Sequence, residues 1–152
     1  MTFRGADMLK HPSVAFAIVM AAFLAAPSAA RAAGDLAIRA KSLEPLVLGS
    51  KDSDYAMSVK EYVLETGQSY SLEISAVGYK DYEIDAEDFF RNVWIRYIEI
   101  GEVTIQAPVI NEIELEREGE MEIVFVPIRT GTYEFAIEGL EQKGMVGKFV
   151  VK

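Results

Sequence analysis

The last segment of the chain, from Gly131 to Lys152, constrains the fold more than any other segment. Tyr133, Phe135 and Ile137 alternate with polar or small residues, which is the pattern of a strand with one buried face. A glycine-rich stretch follows and leads into an apolar run over residues 149–151. This pattern predicts a final β-hairpin.

The same alternation recurs in short segments separated by glycine and proline. Tyr70, Leu72 and Ile74 alternate with polar residues after a turn signal at 66–68. Ile113 and Leu115 alternate with glutamates further along the chain. Many short strands with almost no helical periodicity predict an all-β protein, a Greek-key β-sandwich.

Three local patterns predict individual elements: a short helix, a hairpin and a strand. Residues 85–92 begin with the capping residue Asp85, carry acids in the first turn and contain no helix breaker, so we expect one short helix. Residues 55–65 and 70–75, joined by a Glu-x-Gly turn, predict a hairpin. Residues 94–100 look like a strand, but apolar side chains on both faces leave its buried face open.

The final hairpin resembles the copper-binding loop of the cupredoxins, the blue-copper family that includes plastocyanin and azurin. The residues that carry the resemblance are Gly131-Thr132-Tyr133-Glu134-Phe135 and Gly144-Met145-Val146-Gly147. The strand, turn and strand before residue 76 are similar to the family's opening hairpin. The resemblance covers roughly residues 58–152 and implies a cupredoxin-type sandwich with one short helix.

The family's copper ligands are replaced at the corresponding positions. The resemblance puts Ile137 near the Cys position, Leu140 at a His position and Met145 at the Met position, with Lys80 or Asp81 in place of the first His. A blue-copper centre requires one thiolate and two imidazoles. The chain has no Cys, and its single histidine lies at position 11. We therefore expect no copper cofactor, and an apolar cluster of the three loop residues near residues 80–82.

The N-terminal segment has the order of a secretory signal peptide. Arg4 and Lys10 precede an apolar run over residues 14–26, and small residues follow. This run is shorter than the roughly 20 residues that span a bilayer. We predict a signal peptide over residues 1–32, cleaved after Ala30 or Ala32, and a cupredoxin-like domain over 33–152. The expected location is the bacterial periplasm or the medium, without a stable membrane anchor.

The charge of the predicted mature chain limits its partners. Residues 1–32 hold three of the 15 basic and one of the 24 acidic residues, so 12 and 23 remain, a formal charge of −11. Such a charge repels nucleic acid and anionic lipid. It is also the ordinary means by which a surface stays soluble. We therefore expect no nucleic-acid partner.

Carboxylates and one thioether are the remaining candidate metal ligands. Acidic residues crowd positions 81–88 and 112–122, but neither segment has EF-hand spacing, and the second alternates like a solvated strand face. Met145 with Glu138 and Glu141 forms a further candidate set at the altered loop. Without Cys or a histidine beyond position 11, no nucleophile–base arrangement stands out. We assign no catalytic residue and predict that the protein is not an enzyme.

Phe90, Arg91, Trp94 and Arg96 form a candidate partner surface, because aromatic residues beside arginine are typical of interface centres. Packing of the aromatic residues in the core is the competing interpretation. The sequence predicts a non-catalytic accessory or binding protein with a protein partner in an exported metal or redox system. The alternative is a periplasmic metal-handling protein that binds copper or iron through Met145 and carboxylates.

Overall fold

The computed structural model describes residues 39–152, so the predicted signal peptide lies outside the described residues. The described chain forms eleven strands, one short α-helix and one 3-10 turn. The elements are β1 (Lys41–Ser42), β2 (Leu46–Leu48), β3 (Glu61–Leu64), β4 (Tyr70–Ala76), β5 (Tyr82–Asp85), α1 (Glu87–Phe90), β6 (Val93–Ile100), β7 (Val103–Ile105), β8 (Glu112–Leu115), β9 (Glu120–Pro127), β10 (Gly131–Ile137), the 3-10 turn (Glu141–Lys143) and β11 (Val146–Val151).

The strands form two sheets, which confirms the predicted all-β sandwich. The first sheet has the order β1-β4-β9-β6-β7, and β2 pairs with β4 beside β1. β1 and β2 run parallel to β4, separated by Pro45, which cannot donate to a strand ladder. The second sheet has the order β3-β11-β10-β5-β8, with β3 parallel to β11. The predicted final hairpin is confirmed as the antiparallel pair β10–β11.

The core lies between the inward faces of the two sheets. Tyr70, Leu72 and Ile74 of β4 are buried, as the alternation predicted. At the centre the ring of Phe89 stacks on that of Phe149 with centroids 3.8 Å apart and meets that of Phe125 edge-on at 5.4 Å. Aromatic pairs in these arrangements add stability beyond the area that they bury. Because α1 carries Phe89, this one helical turn belongs to the core.

The helix is shorter than predicted. It covers Glu87–Phe90, whereas Asp85 is the last residue of β5 and pairs with Ala136 and Glu112 on the neighbouring strands. The Asp85 carboxylate does accept a hydrogen bond from the Glu87 N–H at 3.3 Å, but from a strand position. Asp85, which the sequence pattern assigned to the helix cap, is therefore a strand residue in the structure.

The predicted opening hairpin is wrong. β3 and β4 follow one another through the turn at 65–69, but β3 pairs with β11 and β4 pairs with β9. The turn therefore carries the chain from one sheet to the other. The same turn signal occurs in a hairpin and in a turn that connects two sheets. It specifies a change of chain direction but not the partner of either strand.

The buried face of β6 changes phase along the strand. Val93 and Ile95 are buried, then Ile98 is buried, because a β-bulge between Ile95 and Tyr97 inserts Arg96. A bulge places one extra residue opposite a single partner and shifts the alternation by one. This explains why the sequence of residues 94–100 shows apolar residues on both faces.

Candidate functional site

The candidate site is the connection between β10 and β11, where the sequence resembles a copper-binding loop. Three backbone hydrogen bonds tie its key positions together: Ile137 N–H donates to Met145 O at 3.0 Å, Leu140 N–H to Ile137 O at 2.9 Å, and Met145 N–H to Leu140 O at 3.4 Å. The 3-10 turn fills the loop and ends at Gly144, whose φ of 84° is in the left-handed region that favours glycine. The loop is therefore a closed, compact turn.

The side chains of this loop belong to the hydrophobic core. Ile137 and Met145 are fully buried, and Leu140 is partly buried against the same core cluster. Tyr82, beside residues 80 and 81 where the resemblance puts the first ligand, is also fully buried in that cluster. A blue-copper site needs a thiolate and two imidazoles around the metal. Two aliphatic side chains and an enclosed thioether do not fit copper, so no chemistry is assigned to a metal here.

Lys80 and Asp81 lie outside the cluster, on the exposed connection before β5. The Lys80 ammonium is 6.0 Å from the centre of the Tyr55 ring, and the Lys143 ammonium of the 3-10 turn is 5.3 Å from the same ring. The connection before β5 thus approaches the β10–β11 loop through Tyr55. The expectation that the cluster lies near residues 80–82 therefore applies to the side chain of Tyr82 and not to the two charged residues.

Tyr82 occupies the interior beside the expected position of the first ligand. Its hydroxyl donates a hydrogen bond to the Asp54 carbonyl oxygen at 2.9 Å. Burial is the largest of the causes that raise the pKa of Tyr82, followed by the charge of Asp54. A Cβ atom added at Gly78 would be only 1.8 Å from the Tyr82 hydroxyl oxygen, so glycine is needed there for the ring to fit. The space is closed by a neutral phenol with a hydrogen-bond partner.

The candidate set of Met145, Glu138 and Glu141 is not brought together as a ligand set. Met145 is enclosed in the core, whereas both glutamates are exposed. The Glu141 carboxylate accepts a hydrogen bond from the Gly139 N–H at 3.1 Å. Within residues 39–152, no group of three or more His, Cys, Asp or Glu side chains is arranged to hold a metal ion.

A second feature of this region is a carboxyl pair that the sequence did not reveal. The backbone N–H of Glu138, which follows β10, donates to the carbonyl oxygen of Glu83 on β5 at 2.9 Å. The two side chains are thereby close enough to share a hydrogen bond when one carboxyl group is protonated. That hydrogen bond is the largest cause that raises the pKa of Glu83 to about 7, followed by desolvation and by the charges of Glu138, Glu112 and Glu114. Glu83 also lies directly opposite Glu114 on β8. Only the pairing of β5 with its neighbours brings these glutamates together, and no local sequence signal indicates it.

One of the four residues of the predicted partner surface is not on the surface. Phe90 is buried in the core, which corrects its assignment to the surface. Arg91 forms an ion pair with Glu87 one helical turn earlier, and Arg96 donates a hydrogen bond to the Ser69 hydroxyl at 3.0 Å. Trp94 is 47% exposed, so of the two aromatic residues only Trp94 presents its ring to solvent. The packing of Phe90 reflects α1, whose two phenylalanines both face the core.

Comparison with solved structures identifies the architecture. The chain is similar to a multicopper oxidase from Campylobacter jejuni, described as a metallo-oxidase, with a TM-score of 0.54 and 10% identity over 76% of this chain. The described domain is a cupredoxin-like β-sandwich. The alignment covers 31% of the oxidase, so the chain corresponds to about a third of that protein's length. At this identity the similarity concerns the fold.

Two further similar structures are auracyanins. The reduced auracyanin of Roseiflexus castenholzii has a TM-score of 0.48 and 16% identity over 75% of this chain and 99% of its own. Auracyanin A of Chloroflexus aurantiacus, described as a "blue" copper protein, has a TM-score of 0.48 and 14% identity over 75% of this chain and 100% of its own. No family model matches the chain, and no curated protein matches it in sequence.

The domain thus combines a cupredoxin-like fold with a β10–β11 loop that contains neither cysteine nor histidine. The chain contains no cysteine, and its loop positions carry the aliphatic and thioether side chains described above. These observations fit a degenerate copper site.

In the described part of the chain, no helix is long and apolar enough to cross a membrane.

Proposed function

We propose that the protein is an exported, non-catalytic accessory or binding protein that uses the cupredoxin-like fold as a scaffold. The observation that carries this proposal is the complete burial of Ile137 and Met145, which the sequence resemblance puts at or near copper-ligand positions. Leu140 and Tyr82 pack with the same core. Such packing favours the folded state by burial of apolar surface. The loop therefore serves the stability of the domain, and function is assigned to its surface.

A protein partner in an exported metal or redox system is the interaction that we propose. The support is indirect: the fold is shared with copper proteins, and the charge of the predicted mature chain disfavours nucleic acid and anionic lipid. Trp94 remains a candidate contact, since its indole ring is accessible at the start of β6. Exposed tryptophan is enriched among residues that dominate binding energy.

Metal analysis of the protein purified from its native compartment tests this proposal. We expect less than stoichiometric copper and iron, and no saturable copper binding when copper is added back, because the loop offers no thiolate or imidazole. Stoichiometric copper or iron that survives dialysis would overturn the proposal. That result would support the alternative, a periplasmic metal-handling protein that binds through Met145 and carboxylates.

Export is tested by the mass of the mature protein. We expect an N-terminus at Arg31 or Ala33 after cleavage behind Ala30 or Ala32. The matched control is a chain with Leu24→Arg in the apolar run, which should remain in the cytoplasm with its N-terminal segment uncut. An exported protein that still carries residues 1–30 would contradict signal cleavage.

A further inference from the structure

The free edge of the six-stranded sheet is an exposed apolar strand. β7 is the last strand in the order of this sheet, and within residues 39–152 no strand pairs with its outer side. All three of its residues are exposed, with Val103 at 58% and Ile105 at 41%. Ile100, the β6 residue opposite Val103, is exposed as well. An unpaired strand edge presents backbone N–H and C=O groups to other chains.

The inward face of this edge is apolar. Ile105 lies opposite Ile98, which is buried in the core, so Ile105 and Val103 are on the inward face of the sheet. Because successive strand residues point to opposite faces, both side chains extend the inward surface beyond the part that the second sheet covers. Val103, Ile105 and Ile100 are exposed, so no element within residues 39–152 covers this extension.

On the outward face of the same sheet, a row of glutamates begins on β6, the strand next to this edge. Thr104 of β7 lies opposite Glu99 of β6, Glu99 opposite Glu122 of β9, and Glu122 opposite Glu73 of β4. Like charges directly opposite one another on neighbouring strands are destabilising. The ion pairs Arg91–Glu87 and Lys148–Glu61 both lie outside this row. The row therefore favours cationic side chains beside it.

We propose that the β7 edge binds an extended segment of a protein partner whose residues alternate between apolar and basic. Such a segment would add a strand beside β7, placing its apolar side chains against Val103 and Ile105 and its basic side chains beside Thr104. These basic side chains would share the outward face with Glu99, which is on β6, two strand spacings or about 10 Å from the added strand. Strand addition supplies affinity through backbone hydrogen bonds and specificity through alternate side chains. The segment from residue 97 to 126 carries eight glutamates and one arginine, so a second copy of this chain would meet its own charge.

This proposal goes beyond the accessory role by naming a surface and the chemistry of the partner. It also does not depend on the metal content of the protein. A copper-loaded protein would overturn the proposed function and leave the β7 edge unaffected. If no peptide binds at the β7 edge, the result of the metal analysis is unchanged.

Titration of the isotope-labelled protein with a short synthetic peptide of alternating lysine and valine tests the proposal by NMR. We expect saturable shifts of backbone amides in β7 and the adjoining half of β6, which weaken as salt screens the charges. Two control peptides isolate the two features of the partner. One has the same composition with the lysines and valines in separate blocks, and the other has glutamate in place of lysine. Both should bind at least about tenfold more weakly.

Two variants locate the binding surface. The double variant Val103→Thr and Ile105→Thr keeps β-branched residues in β7 but removes apolar contact, and we expect it to lose the peptide-induced shifts. The matched control is Ile128→Thr, which makes the same change at an exposed position after the far end of β9 and should bind like the parent. Folding of both variants is checked by their remaining amide spectra.

Three results would overturn the proposal. One is equal binding of the alternating and block peptides, and another is a shift map centred away from β7. The third is concentration-dependent pairing of two copies through β7, detected by sedimentation, because a second copy would then be the occupant of the edge.

Discussion

Met145 illustrates how a residue type shared with a metal-binding loop can serve packing instead. Its side chain is fully buried, and its backbone closes the loop onto Ile137 and Leu140. A thioether is flexible and polarisable, so it fills irregular gaps in a core. At the scale of single residues, the position that the resemblance to a copper-binding loop marks as a ligand is a core position in this protein.

The depth of burial predicts an order of stability losses in this loop. We expect Met145→Ala to cost roughly 2–5 kcal/mol, the usual loss for removal of a fully buried large side chain. Leu140→Ala should cost less, about 1–2 kcal/mol, because Leu140 is only partly buried. Urea unfolding of both variants gives the two values. A larger loss for Leu140→Ala than for Met145→Ala would contradict the packing described above.

The Glu83–Glu138 pair makes stability depend on pH in a defined direction. The pKa of Glu83 rises from 4.5 to about 7 in the folded protein, chiefly because of the hydrogen bond with Glu138. The folded state therefore holds this proton more tightly than the unfolded state does. The stability from Glu83 is fully present below pH 4.5 and is lost as the pH rises through about 7.

Glu83→Gln tests this dependence, because glutamine keeps a neutral side chain at every pH. We expect the variant to gain stability relative to the parent as the pH rises from below 4.5 to above 7. Urea unfolding at several pH values measures the difference. The control is Glu134→Gln, an exposed change on β10 outside the group of interacting carboxyls, which should follow the parent. A constant difference between Glu83→Gln and the parent would contradict the raised pKa.

At the scale of elements, the sequence predicted the strands better than their partners. The alternation in β4, β8 and β10 identified their buried faces, because one face of each meets the core. The pairing of β3 with β11 and of β4 with β9 could not be predicted in this way, since turn chemistry does not encode distant partners. The bulge at Arg96 and the strand assignment of Asp85 likewise depend on ladders formed with other strands.

The same distinction applies to the candidate site. Ile137, Leu140 and Met145 were identified from a local motif, and the structure places all three in or against the core. Phe90 was misassigned because its burial depends on the orientation of α1. The Glu83–Glu138 contact joins β5 to the end of β10. These residues are far apart in the sequence, and local periodicity does not predict such contacts.

The packing of the β10–β11 loop predicts that one introduced ligand residue will not create a blue-copper site. We expect Ile137→Cys to give no intense visible absorption with copper, because a thiolate needs two imidazoles to form the blue-copper set. The triple variant Ile137→Cys, Leu140→His and Asp81→His is the comparison. Its added side chains still have to compete with the buried Tyr82 and Met145. An intense absorption band from the single variant would contradict the packing of this loop.

The whole molecule joins distant parts of the chain through its last strand. β11 is an internal strand of the second sheet, with β10 on one side and β3 on the other. Its residue Phe149 pairs with Tyr62 of β3 and also stacks on Phe89 at the centre of the core. The second sheet is therefore completed only when its first strand in chain order, β3, meets its last, β11.

This arrangement has a consequence for the chain during synthesis. A ribosome that has not yet released residues 146–151 holds a polypeptide in which β3 and β10 each lack a neighbour. Long-range pairings of this kind make folding slow, and unpaired strand edges promote aggregation. We therefore expect nascent chains to stay protease-sensitive until the final strand is made. Fragments that stop before Val146 should be cleared as unfolded polypeptide.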